Sequence, residues 1–214
     1  VSSKNIEEMF GEILGYIKKI ENPYIKKLME SFFVEDQAFI SAFKKSSAAK
    51  SVHHGFVGGL LEHSLSVTKL CDYYAQTYTV LNRDLLLTAA MLHDVGKTWE
   101  LSAFPVNDYT DDGQLLGHIM IGAEEISYRI RGMEGFPAKL ASELKHCILA
   151  HHGELEFGSP KKPALVEALC LSFADNLDAK METMKEMLSA IPENNLEWQG
   201  YNRLLDSNFR KTSC

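Results

Sequence analysis

Apolar side chains return every three to four residues along most of this chain, the spacing that lines one face of an α-helix. Ile6, Met9, Phe10, Ile13, Leu14, Ile17 and Ile20 mark a helix over 4–20. Asn22-Pro23 punctuates, and Pro23 is placed to start a second helix whose stripe, Tyr24, Leu28, Phe32 and Phe33, runs to about residue 34. A third short helix is expected at 35–44. Small residues at 46–59 predict a loop, followed by a helix over 60–78. Asn82 then serves as the N-cap of a central helix built on the almost wholly apolar run 85–92. Further helices are expected at 118–133, 137–151 and 163–188, with a Pro-, Asn-, Asp- and Gly-rich loop at 98–116 and a short helix at 196–205. No stretch sustains period-2 alternation and no repeat is present, so the fold class is all-α.

With 214 residues, 45% of them hydrophobic, and only 6 prolines, the chain can bury a full core as one domain with a helical extension. The formal net charge of −7, from 22 Lys+Arg against 29 Asp+Glu, argues against a broad nucleic-acid-binding surface. It does not exclude a phosphorylated substrate, because a metal site supplies positive charge that the count omits. Cys71, Cys147, Cys170 and Cys214 show no C-x-x-C spacing, which fits reduced thiols in a cytoplasmic protein. With no signal-peptide pattern and no apolar stretch of about 18 residues, neither secretion nor membrane spanning is expected.

The central run ends abruptly in His93-Asp94, breaks at Gly96 and presents Lys97. Two ligand-type side chains at the end of a buried helix are costly unless something compensates them, and a metal ion would. The dipeptide alone carries little information. The other histidines add to it. His63 continues a face through Val67, Leu70 and Tyr74, and His118 sits beside Ile119, Ala123, Ile126 and Ile130. His151 closes the face of Leu140, Leu144 and Ile148, and Asp175 lies on that of Ala164, Ala168 and Leu171. Singly, each is more often a satisfied core group. Together they are not: a core has little reason to bury His63, His93, Asp94, His118, His151 and Asp175 without a shared cation.

The series His63, His93-Asp94, Asp175 resembles the HD-domain metal-dependent phosphohydrolases, and His118 with His151-His152 resembles their dinuclear subgroup. His53-His54-Gly55, the run 58–63 (Gly-Gly-Leu-Leu-Glu-His), His151-His152-Gly153 and the run 174–181 resemble the HD domain of YhaM-type 3′–5′ exoribonucleases. The likeness covers 46–182 in detail. It implies an HD-domain helical bundle at 46–190, an N-terminal helical extension at 1–45 and a tail at 191–214. Carried over by position, His63, His93, Asp94 and Asp175 hold one ion. His118 and His151 hold a second, with Asp94 bridging. Asp94 and Lys97 become the catalytic residues, Lys97 reaching a phosphate oxygen or the leaving group. His53, His54, Gly58, Gly59 and His152 become substrate contacts, the glycines by offering amides at a helix N-terminus. Asp178 is placed to orient a ligand.

This nitrogen-rich set suits Mn2+, Fe2+, Co2+, Ni2+ or Zn2+ better than Mg2+. The implied reaction is metal-assisted hydrolysis of phosphodiester bonds at the 3′ end of single-stranded RNA or oligonucleotides. The fuller members of that group carry an N-terminal OB-fold nucleic-acid-binding domain, for which this sequence shows no strand pattern. Two other readings stay open: an HD nucleotidase or cyclic-nucleotide phosphodiesterase for small molecules, and a non-catalytic HD signalling or interaction module. The intact ligand set, Lys97 included, argues against the module. No membrane partner is expected, and the oligomeric state is open.

Overall fold

The apolar run 85–92 becomes the middle of the protein because it can be buried on every side. In a computed structural model, which describes residues 2, 4–50 and 55–213, it forms helix α5 (Arg83–Leu92). Asn82 caps α5 by accepting the Leu85 amide at 3.0 Å, and Leu85 through Leu92 are all buried. Each buried leucine side chain there contributes about 1.5–3 kcal/mol.

Around α5 pack α4 (Gly59–Thr77), α9 (Ala138–Leu149) and α10 (Val166–Ser189), with α8 (Gly117–Arg131) against α9. The N-terminal helices are α1 (Ile6–Lys18), α2 (Pro23–Glu30) and α3 (Gln37–Lys45). Asn5, Asn22 and Asp36 cap them, and Pro23 opens α2 as its pre-set φ favours. Their buried side chains join the same apolar core as α4, α5, α9 and α10. Asp84 of α5 accepts the amides of Glu21 and Asn22 at 3.1 and 2.8 Å, and Arg129 of α8 reaches back to Asp36 at 2.7 Å. No helix among the described residues is long and apolar enough to cross a membrane.

Three expectations need correction. The stretch 98–116 is not an open loop: it holds α6 (Lys97–Glu100) and α7 (Asp111–Leu115), closed by a Leu101–Tyr109 bridge. Gly113 allows this, since a Cβ there would lie 2.2 Å from the Glu100 carbonyl oxygen. The tail at 196–205 forms no helix but a small hairpin of β1 (Tyr201–Asn202) and β2 (Ser207–Asn208). Gly200 at φ +99° and Asp206 at φ +49° turn the chain out of a helical path. Helix α10 starts at Val166 rather than 163, because Leu165 is extended and the Ala164 amide donates to His146 Nε2 instead.

Candidate metal centre

Helix α5 ends at Leu92, and the chain tightens into successive bonds from Val95 to Leu92, Lys97 to Asp94 and Thr98 to Val95. That turn swings His93 and Asp94 inward from the buried end of α5. Gly96 lets α8 come up against the same turn: a Cβ on Gly96 would sit 1.9 Å from the His118 carbonyl oxygen. His63 arrives from α4, His118 from the start of α8, His151 and His152 from just beyond α9, and Asp175 from α10. The six residues expected as ligands therefore converge, from five segments of the chain.

The two oxygens of Asp94 divide the site. Oδ2 lies 3.6 Å from His63 Nε2 and 3.5 Å from His93 Nε2. Asp175 Oδ1 closes that side at 3.0 Å from His63 Nε2 and 3.7 Å from His93 Nε2. Oδ1 faces His118 Nε2 at 3.4 Å and His151 Nε2 at 3.5 Å. His63, His93 and Asp175 form one group able to hold a metal ion, and His118, His151 and His152 form another.

Every ring is held by its other nitrogen. His63 Nδ1 meets Asp178 at 2.7 Å, His93 Nδ1 the Ala90 carbonyl at 2.7 Å, and His151 Nδ1 the Ile148 carbonyl at 2.6 Å. His118 Nδ1 meets Glu100 at 3.2 Å, and His152 Nδ1 the Phe157 carbonyl at 2.9 Å. A carbonyl or carboxylate can only accept, so each Nδ1 carries a proton and each Nε2 is the ring atom left facing the centre. His63 and His93 thus turn two such nitrogens towards each other at 3.1 Å, an approach that requires a cation or a proton between them. Asp94 Oδ1, His118 Nε2 and His151 Nε2 are buried with no hydrogen-bond partner. Buried polar atoms are rarely left so, and a divalent cation fits this donor set.

The electrostatics agree. Burial works against charge on His63, but its bonds to Asp175 and Asp178 outweigh it and raise its pKa to about 10. Burial likewise opposes ionised Asp94 and Asp175, yet Lys97 and the imidazoles around Asp94, and His63 and His93 around Asp175, hold both carboxyls well below the usual range. Burial pushes His151 and His152 below the ordinary imidazole value. Lys97 is desolvated, but Asp94, 2.7 Å from its ammonium, keeps it charged. Without a metal, the cluster must take up protons to balance its carboxylates.

Other expected contacts fall differently. His53 and His54 lie outside the described residues. Gly58 and Gly59 do not line the cavity of about 220 Å3 that opens between His63, Asp94, Lys97, His152 and Asp175. Gly58, at φ +86°, packs on Ile6, and the amides of Gly59 and Leu60 donate to the carbonyls of Phe56 and Ser46. Those donors are spent on the chain, not offered to an anion. Glu100 was not anticipated: it accepts both the His118 amide, at 3.0 Å, and the His118 ring. An acidic residue in a stretch without periodicity gives no signal, and its partner stands 18 residues away.

The family model described as HD domain matches residues 60–180, which span α4 through the middle of α10. Curated relatives include the 3′–5′ exoribonuclease YhaM of Bacillus subtilis (strain 168), 39% identical over 184 residues, covering 86% of this chain and 57% of the relative. YhaM of Bacillus velezensis (strain DSM 23117 / BGSC 10A6 / LMG 26770 / FZB42) matches at the same identity and coverage. YhaM of Shouchella clausii (strain KSM-K16) is 38% identical over the same length. The chain spans a little over half the length of these relatives. No solved structure matches it. A helical core that gathers His63, His93-Asp94 and Asp175, matched by the family model over more than half its residues, belongs to the HD-domain family.

Proposed function

We propose that the chain carries the catalytic core of a dinuclear metal-dependent phosphodiesterase that releases nucleotides from the 3′ end of RNA or short oligonucleotides. The observation that carries this reading is the trio of buried atoms with no hydrogen-bond partner, Asp94 Oδ1, His118 Nε2 and His151 Nε2, beside the His63 and His93 Nε2 atoms that meet at 3.1 Å. One ion is assigned to His63, His93, Asp94 and Asp175, and a second to Asp94, His118 and His151, with His152 beside them. The nitrogen-rich donors favour Mn2+, Fe2+, Co2+, Ni2+ or Zn2+ over Mg2+. Bound divalent ions supply a water that ionises near neutral pH and draw charge from the attacked phosphoryl group.

The chain's own residues do the positioning. Asp178 and Glu100 fix the tautomers of His63 and His118. Lys97, cationic and at the wall of the 220 Å3 cavity, offers its ammonium to a phosphate oxygen while steadying Asp94. Ala48, Ala49 and Ala179 leave room there for the phosphate. We place this chemistry in 46–190, with 1–45 as a packing extension and 191–214 as a tail, in a cytoplasmic protein. The RNA 3′ end is supported by the likeness to relatives named 3′–5′ exoribonucleases.

The test pairs elemental analysis of protein purified without chelator with Mn2+-dependent release of mononucleotides from a short 3′-hydroxyl RNA. Two ions per chain and 3′-directed release are expected. Two ions with turnover only on mononucleotides or small diesters would replace RNA by a small-molecule substrate. No ion, and no gain on adding metal, would sink the site.

A further inference from the structure

A second cavity, of about 390 Å3, adjoins the metal centre and shares His152, Asp175 and Ala179 with the smaller one. Its volume lies within the roughly 300–1,000 Å3 of small-molecule sites. Phe157, on the 3-10 turn Leu155–Phe157, and Phe173, on α10, both line it while 68% and 62% exposed. Neither makes a ring contact among the described residues, so two aromatic faces stand open beside the chemistry. The Phe157 turn is anchored: its carbonyl accepts from His152 Nδ1, and the Ser159 hydroxyl beyond it bonds the carbonyls of Leu149 and Lys161.

Charge separates the two cavities. The smaller one holds Lys97 and faces both halves of the candidate centre. Among the described residues no lysine or arginine lines the larger one; of its two carboxylates, Glu154 is paired with the Lys162 ammonium at 2.8 Å and Asp175 faces the candidate centre, 3.0 Å from His63 Nε2. That lining gives a phosphate no ammonium or guanidinium to bind, and its aromatic and apolar walls suit an uncharged flat group. Asn176 also lines it, with no hydrogen-bond partner for its amide among the described residues.

We propose that this cavity is a nucleoside subsite, in which Phe157 and Phe173 stack on the base next to the scissile phosphate and Asn176 bonds its sugar or base edge. The inference rests on the phosphodiesterase reading and narrows it: the substrate is a nucleotide polymer read by its π-faces. Every base has such a face, so the subsite tolerates any sequence.

The experiment measures binding of AMP and of ribose 5-phosphate to Mn2+-loaded protein by calorimetry, and compares F157A/F173A with F157W/F173W. Stacking is worth roughly 5- to 150-fold in affinity per base. AMP is therefore expected to bind that much more tightly than ribose 5-phosphate. The double alanine variant should lose the difference and the double tryptophan variant keep it. Both positions are on the surface, and retained circular dichroism and metal content establish that the variants fold. An AMP affinity equal to that of ribose 5-phosphate, or a difference that survives F157A/F173A, overturns the subsite. RNA cleavage by the same preparations tests the parent reading separately. Base-dependent binding without RNA cleavage keeps the subsite and rejects the exonuclease.

Discussion

Replacing Gly96 by alanine would place a methyl group 1.9 Å from the His118 carbonyl oxygen and 2.8 Å from the Gly122 amide nitrogen. Ordinary contact begins near 3.4 Å, so the turn before α6 and helix α8 must part by roughly 1.5 Å. The obstructing atoms are backbone and cannot rotate aside. That sets the cost at the upper end of overpacking, about 3 kcal/mol. For a domain of this size it corresponds to a fall in Tm of about 6–12 °C. The displacement also carries His118 away from Asp94, whereas ligand distances tolerate only about 0.2 Å. Thermal unfolding of chelator-treated protein reads the first effect, and elemental analysis after reloading with Mn2+ reads loss of the second ion. Gly11 in α1 is the control: nothing lies within 4 Å of its would-be Cβ, so the same change should stabilise by about 0.5–1 kcal/mol. A Gly96→Ala protein that melts within 2 °C of wild type (roughly 1 kcal/mol) and binds both ions would refute the close approach of this turn to α8.

Removing the groups that hold the rings should separate the two ions. Asp178→Ala is expected to weaken metal at the His63 side, and Glu100→Ala at the His118 side, each by about 10- to 100-fold; metal titration that shows both variants losing the same ion contradicts the division at Asp94. Metal-free protein should be most stable near pH 6–7. His63 has a folded pKa of about 10 against an ordinary 6.5, so its contribution is complete below 6.5 and lost as pH rises towards 10. His151 and His152 have folded values below 6.5, so the unfolded chain gains protons in preference as pH falls through that value. Urea midpoints that climb from pH 7 to pH 9 in chelator-treated protein would contradict this. Arg129→Ala removes bonds to Asp36, Glu125 and the Ser31 carbonyl and the cation over the Phe32 ring, with an expected loss of about 2–3 kcal/mol in chemical denaturation; no change would mean that the N-terminal helices do not depend on α8.

The parts of the site that the sequence discloses share one property. His63, His118, His151 and Asp175 each continue or end an apolar helical stripe, and His93-Asp94 ends the most apolar run of all, so the inward-facing side of each is legible from periodicity. What periodicity cannot carry is direction beyond a helix end. His152 follows His151 at once, yet only the unwinding after Leu149 brings both rings to one side, 4.4 Å apart between centroids. Gly58-Gly59 reads as an anion cradle from composition alone, yet the Gly59 amide goes to the Phe56 carbonyl and the Leu60 amide beside it to that of Ser46. The tail's hairpin is set by two left-handed residues, Gly200 and Asp206, inside a stretch whose apolar spacing suggested a helix.

Helix α6 shows how a four-residue turn without periodic signal can organise a centre. Gly96, just before it, admits α8; Lys97 pairs with Asp94; Glu100 holds His118 by two bonds. Between them Trp99 stacks on Phe39 of α3, with ring centroids 5.8 Å apart. Phe39 is in turn packed among Phe32, Phe33 and Phe43. The N-terminal aromatic cluster therefore bears on the turn that sets both sides of Asp94. Helices without a ligand of their own fix ligand geometry through α6, because a turn this short has too few internal bonds to hold its shape alone.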